Sequence, residues 1–277
     1  TRLGANRGHY RRIDTELVAT SETNLLANRL LVSPNLDEYG KLVNEYAWTG
    51  TYGDGTASPG NCTNWTSTSG TNDVGITSGG PSRWSFAFAG ISCGSSLRIY
   101  CLQRTSTTLA SQPTVPVGGK ILYTTVATFV PSSGNGIGSV DSFCNAHKPS
   151  AYSSRSFVAL VASTAITAGG RLTSTSTYYR TDGVVVGTGA EIMAESLNGG
   201  PWVADDGSYL AGEVYAWNGA SSPSVVGTST STCSNYTSAS AGVFGGIVGR
   251  TASVASDFFG MGTTSCNNSF RVICAEP

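Results

Sequence analysis

Cys62-Thr63-Asn64-Trp65-Thr66-Ser67 and Cys233-Ser234-Asn235-Tyr236-Thr237-Ser238 decide how this 277-residue chain is read, because each half carries one of them. Working outward, Tyr46-Ala47-Trp48-Thr49-Gly50 precedes the first and Tyr215-Ala216-Trp217-Asn218-Gly219 the second. Downstream, Ser96-Leu97-Arg98-Ile99-Tyr100-Cys101 matches Ser269-Phe270-Arg271-Val272-Ile273-Cys274, and the last two cysteines of each half lie 8 residues apart. Three blocks in one order mark an internal repeat. Further upstream, Arg2-Leu3 and Tyr10-Arg11 match Arg171-Leu172 and Tyr179-Arg180, with shifts of a residue or so that read as loop insertions.

Nothing in the first copy corresponds to the stretch from about Lys120 to Gly170, which contains Cys144. The first copy therefore reads as a truncated module over 1–104, followed by a Thr-, Ser- and Pro-rich linker over 105–118 and a complete module over 119–277. The odd count of 7 cysteines follows from this division. If the second copy pairs Cys144 with Cys274 and Cys233 with Cys266, the first pairs Cys62 with Cys93 and leaves Cys101 without an intradomain partner. The other reading is that Cys101 pairs elsewhere, or that the first half has a different closing element.

Charged residues make up 12% of the chain, Gly 35 positions, and Ser plus Thr about a quarter, so hydroxyls and short loops cover the surface. A formal charge of -1, from 16 cations among 17 acids, excludes a general nucleic-acid binder, which needs clustered cations against phosphates. The composition also excludes a long helical bundle. No apolar run is long enough to span a bilayer, so no membrane insertion is expected in this segment. The first residues lack the order of a secretion signal, which leaves a processed or excised fragment open. Cysteine usage without CxxC spacing argues for disulfides in an oxidising compartment and against zinc.

In the second half, Ile121 to Val130 reads as an opening strand. Ser139 caps a short helix whose buried face carries Val140, Phe143, Cys144 and His147. Phe157 to Val161 reads as a buried strand, and Glu191 to Leu197 as a second brief helix stopped by Gly199-Gly200-Pro201. Asn218 to Thr232 and Thr237 to Ala252 read as long polar loops, with Gly245-Gly246-Ile247-Val248-Gly249 a tight turn beneath the second. In the first half, Trp84, Phe86 and Phe88 alternate, as do Leu97, Ile99 and Cys101, which predicts two strand faces. Trp48 and Trp217, each two residues before a Gly, and Trp65 read as structural rings; a ligand platform would require them exposed.

The repeated CxNWTS-like and SxRxxC blocks resemble a bacterial endostatin-like surface-protein family, related in fold to C-type lectin-like domains. In the second copy the likeness extends over Gly138 through Cys144, Arg171-Leu172, Tyr178 through Gly183, Trp217-Asn218-Gly219, Cys233 through Ser238 and Arg271 through Cys274. The resemblance implies an α+β fold of tandem modules, the first lacking its N-terminal helical segment. It implies adjacent first and last strands, a helix tied to the last strand, and irregular loops held by the inner disulfide. It does not imply sugar binding through calcium, because Glu-Pro-Asn, Gln-Pro-Asp and Trp-Asn-Asp motifs are missing.

No catalytic residue, cofactor or metal is expected. His9 and His147 are the two histidines and belong to no ligand cluster, and no GxSxG elbow or GxxxxGK[ST] phosphate loop occurs. Asp205, Asp206 and Glu213 read as a turn rim and not as a glycosidase pair. Arg2, Arg7, Arg11 and Arg12 form the densest basic group but face Asp14 and Glu16, while Arg98 and Arg271 read as salt-bridged or hydrogen-bonded rim positions. Asn61-Cys62-Thr63, Asn64-Trp65-Thr66, Asn235-Tyr236-Thr237 and Asn267-Asn268-Ser269 satisfy glycan spacing but read as polar loop sequence.

The expected function is non-catalytic binding at an extracellular or bacterial outer surface, as in an adhesin, through Tyr52 to Thr63 and Ser221 to Thr232. The expected contacts are Tyr52, Asp54, Asn61, Ser221, Ser222 and Ser224. The partner is a surface protein or a glycan. The alternative is a structural surface repeat that assembles with other copies of itself.

Overall fold

The computed structural model describes residues 8–103, 107–132, 134, 136–242 and 244–277. Arg2, Leu3 and Arg7, named in the sequence analysis, lie outside the described residues. The chain is a mixed α+β protein of small sheets and short helices. It divides into two compact units, Thr1–Gln112 and Pro113–Pro277, at a point inside the Pro- and Thr-rich segment 105–118.

In unit 1, β1 (Tyr10–Arg11) and β2 (Leu17–Ala19) form an antiparallel ribbon. Its turn is held by the Arg12 guanidinium, which donates to both carboxylate oxygens of Asp14 at 3.2 and 2.8 Å. Helix α1 (Glu22–Leu26) follows, capped by Ser21, whose hydroxyl accepts from the Asn24 amide at 3.1 Å. A second sheet contains β3 (Tyr46–Trp48), β4 (Thr71–Ile76), β5 (Phe88–Ser92) and β6 (Arg98–Ile99) in the order β5-β4-β3-β6, with β6 parallel to β3. Between β3 and β4 lies the single turn α2 (Cys62–Trp65).

Unit 2 opens with β7 (Lys120–Thr124), α3 (Ile137–Ala146) and β8 (Val158–Ala159). It continues through β9 (Thr177–Tyr179), β10 (Val185–Thr188) and α4 (Gly189–Met193). Next come β11 (Tyr215–Trp217), the turn α5 (Cys233–Tyr236), β12 (Phe244–Arg250) and β13 (Gly262–Ser265). The chain closes with β14 (Ile273–Ala275) in a five-stranded sheet ordered β10-β9-β7-β14-β8, beside a three-stranded sheet β11-β12-β13. Residue alternation along β14 sends its side chains into two cores. Val272 and Cys274 pack with Val140, Cys144, Phe157 and Trp217, while Ile273 and Ala275 pack with Tyr178, Ile192, Trp202 and Phe258. The Cys144–Cys274 disulfide, spanning 130 residues, fastens α3 to that strand and removes about 5 kcal/mol of loop entropy from the unfolded chain.

Three local features occur in both units, although their sheets differ in strand number and order. β3 pairs antiparallel with β4 as Tyr46↔Ile76 and Trp48↔Val74, and β11 with β12 as Tyr215↔Arg250 and Trp217↔Val248. Ala47 bridges in parallel to Arg98 just as Ala216 does to Arg271. The Arg12–Asp14 fork recurs as Arg180–Asp182, with contacts of 3.0 and 2.7 Å. It therefore equates Arg12 with Arg180, one residue from the sequence match of Tyr10-Arg11 with Tyr179-Arg180.

Several local expectations are corrected. β7 ends at Thr124, not Val130, because Thr125 turns its hydroxyl to the Ala127 carbonyl at 2.7 Å. α3 starts at Ile137 behind Gly136, whose φ is 60°, and Ser139 donates back to the Gly136 carbonyl without capping the helix. α4 starts earlier than Glu191, because Thr188 and Glu191 form a reciprocal capping box. Within Phe157 to Val161, the strand is only Val158–Ala159. Trp84 lies in a turn and Phe86 just after it, so their alternation with Phe88 is not a strand face, and of Leu97, Ile99 and Cys101 only Ile99 is in a strand.

The largest correction falls on Thr237 to Ala252, which contains the seven-residue strand β12 instead of one long loop. Its Gly249 is required by close packing: a Cβ there would run into the carbonyls of Phe258 and Phe259. Gly75 occupies the equivalent place in β4, under the Trp84 carbonyl. A glycine-rich run that reads as a turn is thus a strand with another segment laid on its backbone.

Candidate functional site

Each candidate loop stands on a left-handed turn. Cys62, Thr63, Asn64 and Trp65 have φ of 52, 54, 55 and 68°, and Cys233, Ser234, Asn235 and Tyr236 have 51, 56, 56 and 67°. Winding L-residues this way costs about 1–2 kcal/mol per residue, so both turns must be held from outside. The Asn61 side-chain oxygen accepts from the Asn64 amide at 2.9 Å, and the Thr232 hydroxyl from the Asn235 amide at 2.9 Å. Thr66 and Thr237 donate to the carbonyls of Thr63 and Ser234 at 2.6 and 2.7 Å. The disulfides Cys62–Cys93 and Cys233–Cys266, spanning 31 and 33 residues, fasten the first residue of each turn. On loop entropy each is worth roughly 3–4 kcal/mol. Cys101 is free and exposed.

In unit 1 the chain from Thr51 to Ala57 closes a small hairpin. Asp54 accepts from the Thr56 hydroxyl at 2.6 Å and the Thr56 amide at 2.9 Å, which holds its carboxyl below the usual carboxylate range. Tyr52 is 40% exposed and meets Phe86 edge to face at 5.5 Å. Asn61 is half-buried, with both side-chain ends bonded to Asn64. The base of this loop is locked through Ser58, which donates to the buried Asp73.

In unit 2 the loop hydroxyls mostly bond one another or the loop backbone. Ser231 donates to the Gly219 carbonyl at 2.6 Å and accepts from the Thr228 amide at 2.8 Å. Ser222 and Ser224 share a hydrogen bond of 2.9 Å. Asn235 accepts from the Thr164 amide at 2.9 Å and donates to its hydroxyl at 3.0 Å. Ser221 and Ser224 are exposed, and Val225 and Val226 are each 45% exposed beside them. That exposed valine pair was missed in the sequence, because composition alone does not show which loop residues point outward.

The tryptophans differ in role. Trp217 is fully buried, and its indole N–H donates to the Phe129 carbonyl at 2.9 Å. Trp48 is half-buried and meets Trp65 edge to face at 6.3 Å, while Trp65 is 43% exposed. Its counterpart Tyr236 is fully buried, with its hydroxyl donating to the Ala162 carbonyl at 3.2 Å.

Charged groups are largely spoken for. Arg98 donates to Glu45 at 2.6 and 3.3 Å inside an open concavity of about 700 Å³, and this holds the Glu45 carboxyl below its usual range. Arg271 donates to the carbonyls of Thr125 and Val126 at 2.7 and 2.6 Å, and its pKa is lowered by burial. Glu213 accepts from Arg250 and Tyr215, both at 2.8 Å. The buried Arg180–Asp182 fork also receives the Tyr209 hydroxyl at 2.7 Å, and Arg180 lies 4.9 Å from the Trp202 ring centre. Burial pushes the Asp182 carboxyl up, but the Arg180 charge and these hydrogen bonds outweigh it and hold it below its usual range. Among the described residues, no group of three His, Cys, Asp or Glu side chains could hold a metal ion.

Compared with known proteins, the chain matches no family model, and no curated protein matches it. Three disulfides are present, and among the described residues no helix is long and apolar enough to cross a membrane.

Proposed function

We propose that the chain is a non-catalytic extracellular or bacterial outer-surface binding protein, built from tandem endostatin-like modules of C-type lectin-like type. It recognises a surface protein or glycan through the loops at Tyr52 to Thr63 and Ser221 to Thr232. The observation that carries this reading is the way both loops are tied down. Each runs into a left-handed turn fastened by a disulfide, and the loop hydroxyls are spent on internal bonds, which lowers the ordering cost of binding. Tyr52, Val225 and Val226 then offer apolar anchors amid polar rim residues. Occupation of Glu213 by Arg250 and Tyr215 supports the non-catalytic reading.

Glycan and extracellular-matrix arrays test this with the native chain and with the Tyr52→Ser and Val225→Ser/Val226→Ser variants. Loss of at least about ten-fold in affinity is expected at one loop, as for anchor residues generally. Variants that keep their fold and bind every array ligand as the parent does would end the loop reading. Exposed Cys101 and Ile99, the latter 69% exposed, favour a second reading as a self-assembling surface repeat, tested by molecular mass with and without reductant.

A further inference from the structure

Two stretches of unit 2 lie side by side. The Gly227 amide donates to the Ser163 carbonyl at 2.8 Å, and the Gly169 amide to the Pro223 carbonyl at 2.8 Å. These bonds bracket Ile166 on one stretch and Val225 and Val226 on the other. Residues 163–166 form a tight loop, in which the Ser163 amide donates to the Ile166 carbonyl at 2.8 Å and the Ser163 hydroxyl accepts from the Ala165 and Ile166 amides at 3.2 and 3.0 Å. Thr164 ties this loop to α5 through the Asn235 side chain, two residues from the Cys233–Cys266 disulfide.

Ile166 is 47% exposed, and Val225 and Val226 are each 45% exposed. A tight loop gains nothing from a β-branched apolar residue at its tip, where Gly, Asn or Ser suits the backbone better. Apolar side chains exposed next to one another mark an interaction surface, as single scattered ones do not. The surrounding chemistry narrows the partner. No Lys, Arg, Asp or Glu occurs in 156–170 or in 214–249, so these stretches offer no charge to a polyanion. Neither 163–169 nor 221–232 contains an aromatic ring to stack on a sugar. The hydroxyls of Ser222, Thr228, Ser231 and Thr232 are already engaged within their loop, whereas a sugar leaving water needs free groups to replace its lost hydrogen bonds.

We infer that Ile166, Val225 and Val226 form one apolar docking surface on unit 2, and that its partner is a protein presenting an uncharged apolar epitope. The inference rests on the reading of Ser221 to Thr232 as a binding loop and deepens it: it adds the loop at 163–166 and selects protein over glycan as the ligand of this surface. Docking withdraws three aliphatic side chains from water with little reordering, because the bonds above already fix both loops. With no charge on either stretch, the interaction is insensitive to salt.

The probe is a phage-displayed library of random peptides selected against the full chain, with a glycan array read in parallel. Selection is expected to yield peptides rich in Leu, Ile, Phe and Trp and without net charge. Their Kd is expected to rise at least about ten-fold with Ile166→Ser and with Val225→Ser/Val226→Ser, as for anchor residues generally. It changes less than about two-fold between low and high salt, and Tyr52→Ser leaves it unaltered. Near-UV circular dichroism checks the fold of each variant, and Ile166→Thr, which keeps the branch at Cβ, replaces Ile166→Ser if the latter unfolds. Peptides weakened by the valine variant but not at Ile166 would overturn the inference and leave the loop reading standing. Array glycans lost with Ile166→Ser would overturn it by giving the surface to sugars. Failure to select any peptide sensitive to either variant would overturn it as well, and array ligands equally indifferent to both would end the loop reading of unit 2.

Discussion

Val272, Ile273, Cys274 and Ala275 are all fully buried, whereas in the matched stretch Ile99 is 69% and Leu102 39% exposed. Both stretches follow an arginine bridged in parallel to the strand that carries Tyr-Ala-Trp. The residues are of similar apolarity, so the difference comes from their surroundings: β7, β8 and α3 enclose β14. The same chemistry can therefore build a core or leave an edge, according to what is laid over it.

Four changes would break or sharpen that contrast, beginning with the greatest. Replacing Cys144 and Cys274 together by Ala is expected to lower the stability of unit 2 by about 5 kcal/mol in urea unfolding. Replacing Cys101 by Ser is expected to leave unit 1 within about 0.5 kcal/mol of its parent. Next, Tyr236→Ala is expected to cost about 3–5 kcal/mol, since a fully buried ring is lost. Trp65→Ala, at the same place on the exposed face of unit 1, is expected to cost about 1 kcal/mol, the worth of its edge contact with Trp48. Equal costs in thermal unfolding would erase the distinction between the covered and open faces.

The two Arg–Asp forks provide a third comparison. Asp182→Asn leaves the Arg180 guanidinium buried without its counterion and is expected to cost about 3–5 kcal/mol. Asp14→Asn is expected to cost at most about 1 kcal/mol, because the Asp14 side chain is 38% exposed. The Asp182 carboxyl has a lowered pKa in the folded protein, so its contribution is present above the unfolded value of about 4 and is lost as pH falls through the lower folded value. Urea midpoints measured from neutral pH downward are expected to fall less steeply in acid for Asp182→Asn than for the parent. Smallest, Asn61→Ala and Thr232→Ala are expected to cost about 1 kcal/mol each, the usual worth of a side-chain cap, and similar losses would show that the two turns are held alike.

Much of the α+β framework is visible as paired blocks in the sequence, because Tyr46–Trp48 and Tyr215–Trp217 are short strands whose apolar residues must face a core. β12 was hidden by Gly245, Gly246 and Gly249. Glycine serves both turns and backbone packed against backbone, and only the neighbour, here Phe258 and Phe259, tells which. Trp84 and Phe86 mislead for the opposite reason: two-residue alternation also arises in and just after a turn that half-buries bulky rings. Of the candidate site, the exposed Tyr52 and Asp54 are recognisable as residues of a Gly-rich hairpin tip. The inward bond of Ser231 to the Gly219 carbonyl and the surface bond between Ser222 and Ser224 are not, since a hydroxyl in a sequence carries no direction.

The left-handed turns at Cys62–Trp65 and Cys233–Tyr236 have a consequence for chemical synthesis. Mirror-image amino acids favour that winding, so D-Thr at position 63 or D-Ser at position 234, introduced by ligation, would relieve the steric opposition that L-residues meet there. A chain so altered would separate the contribution of chirality from that of the crosslink beside it.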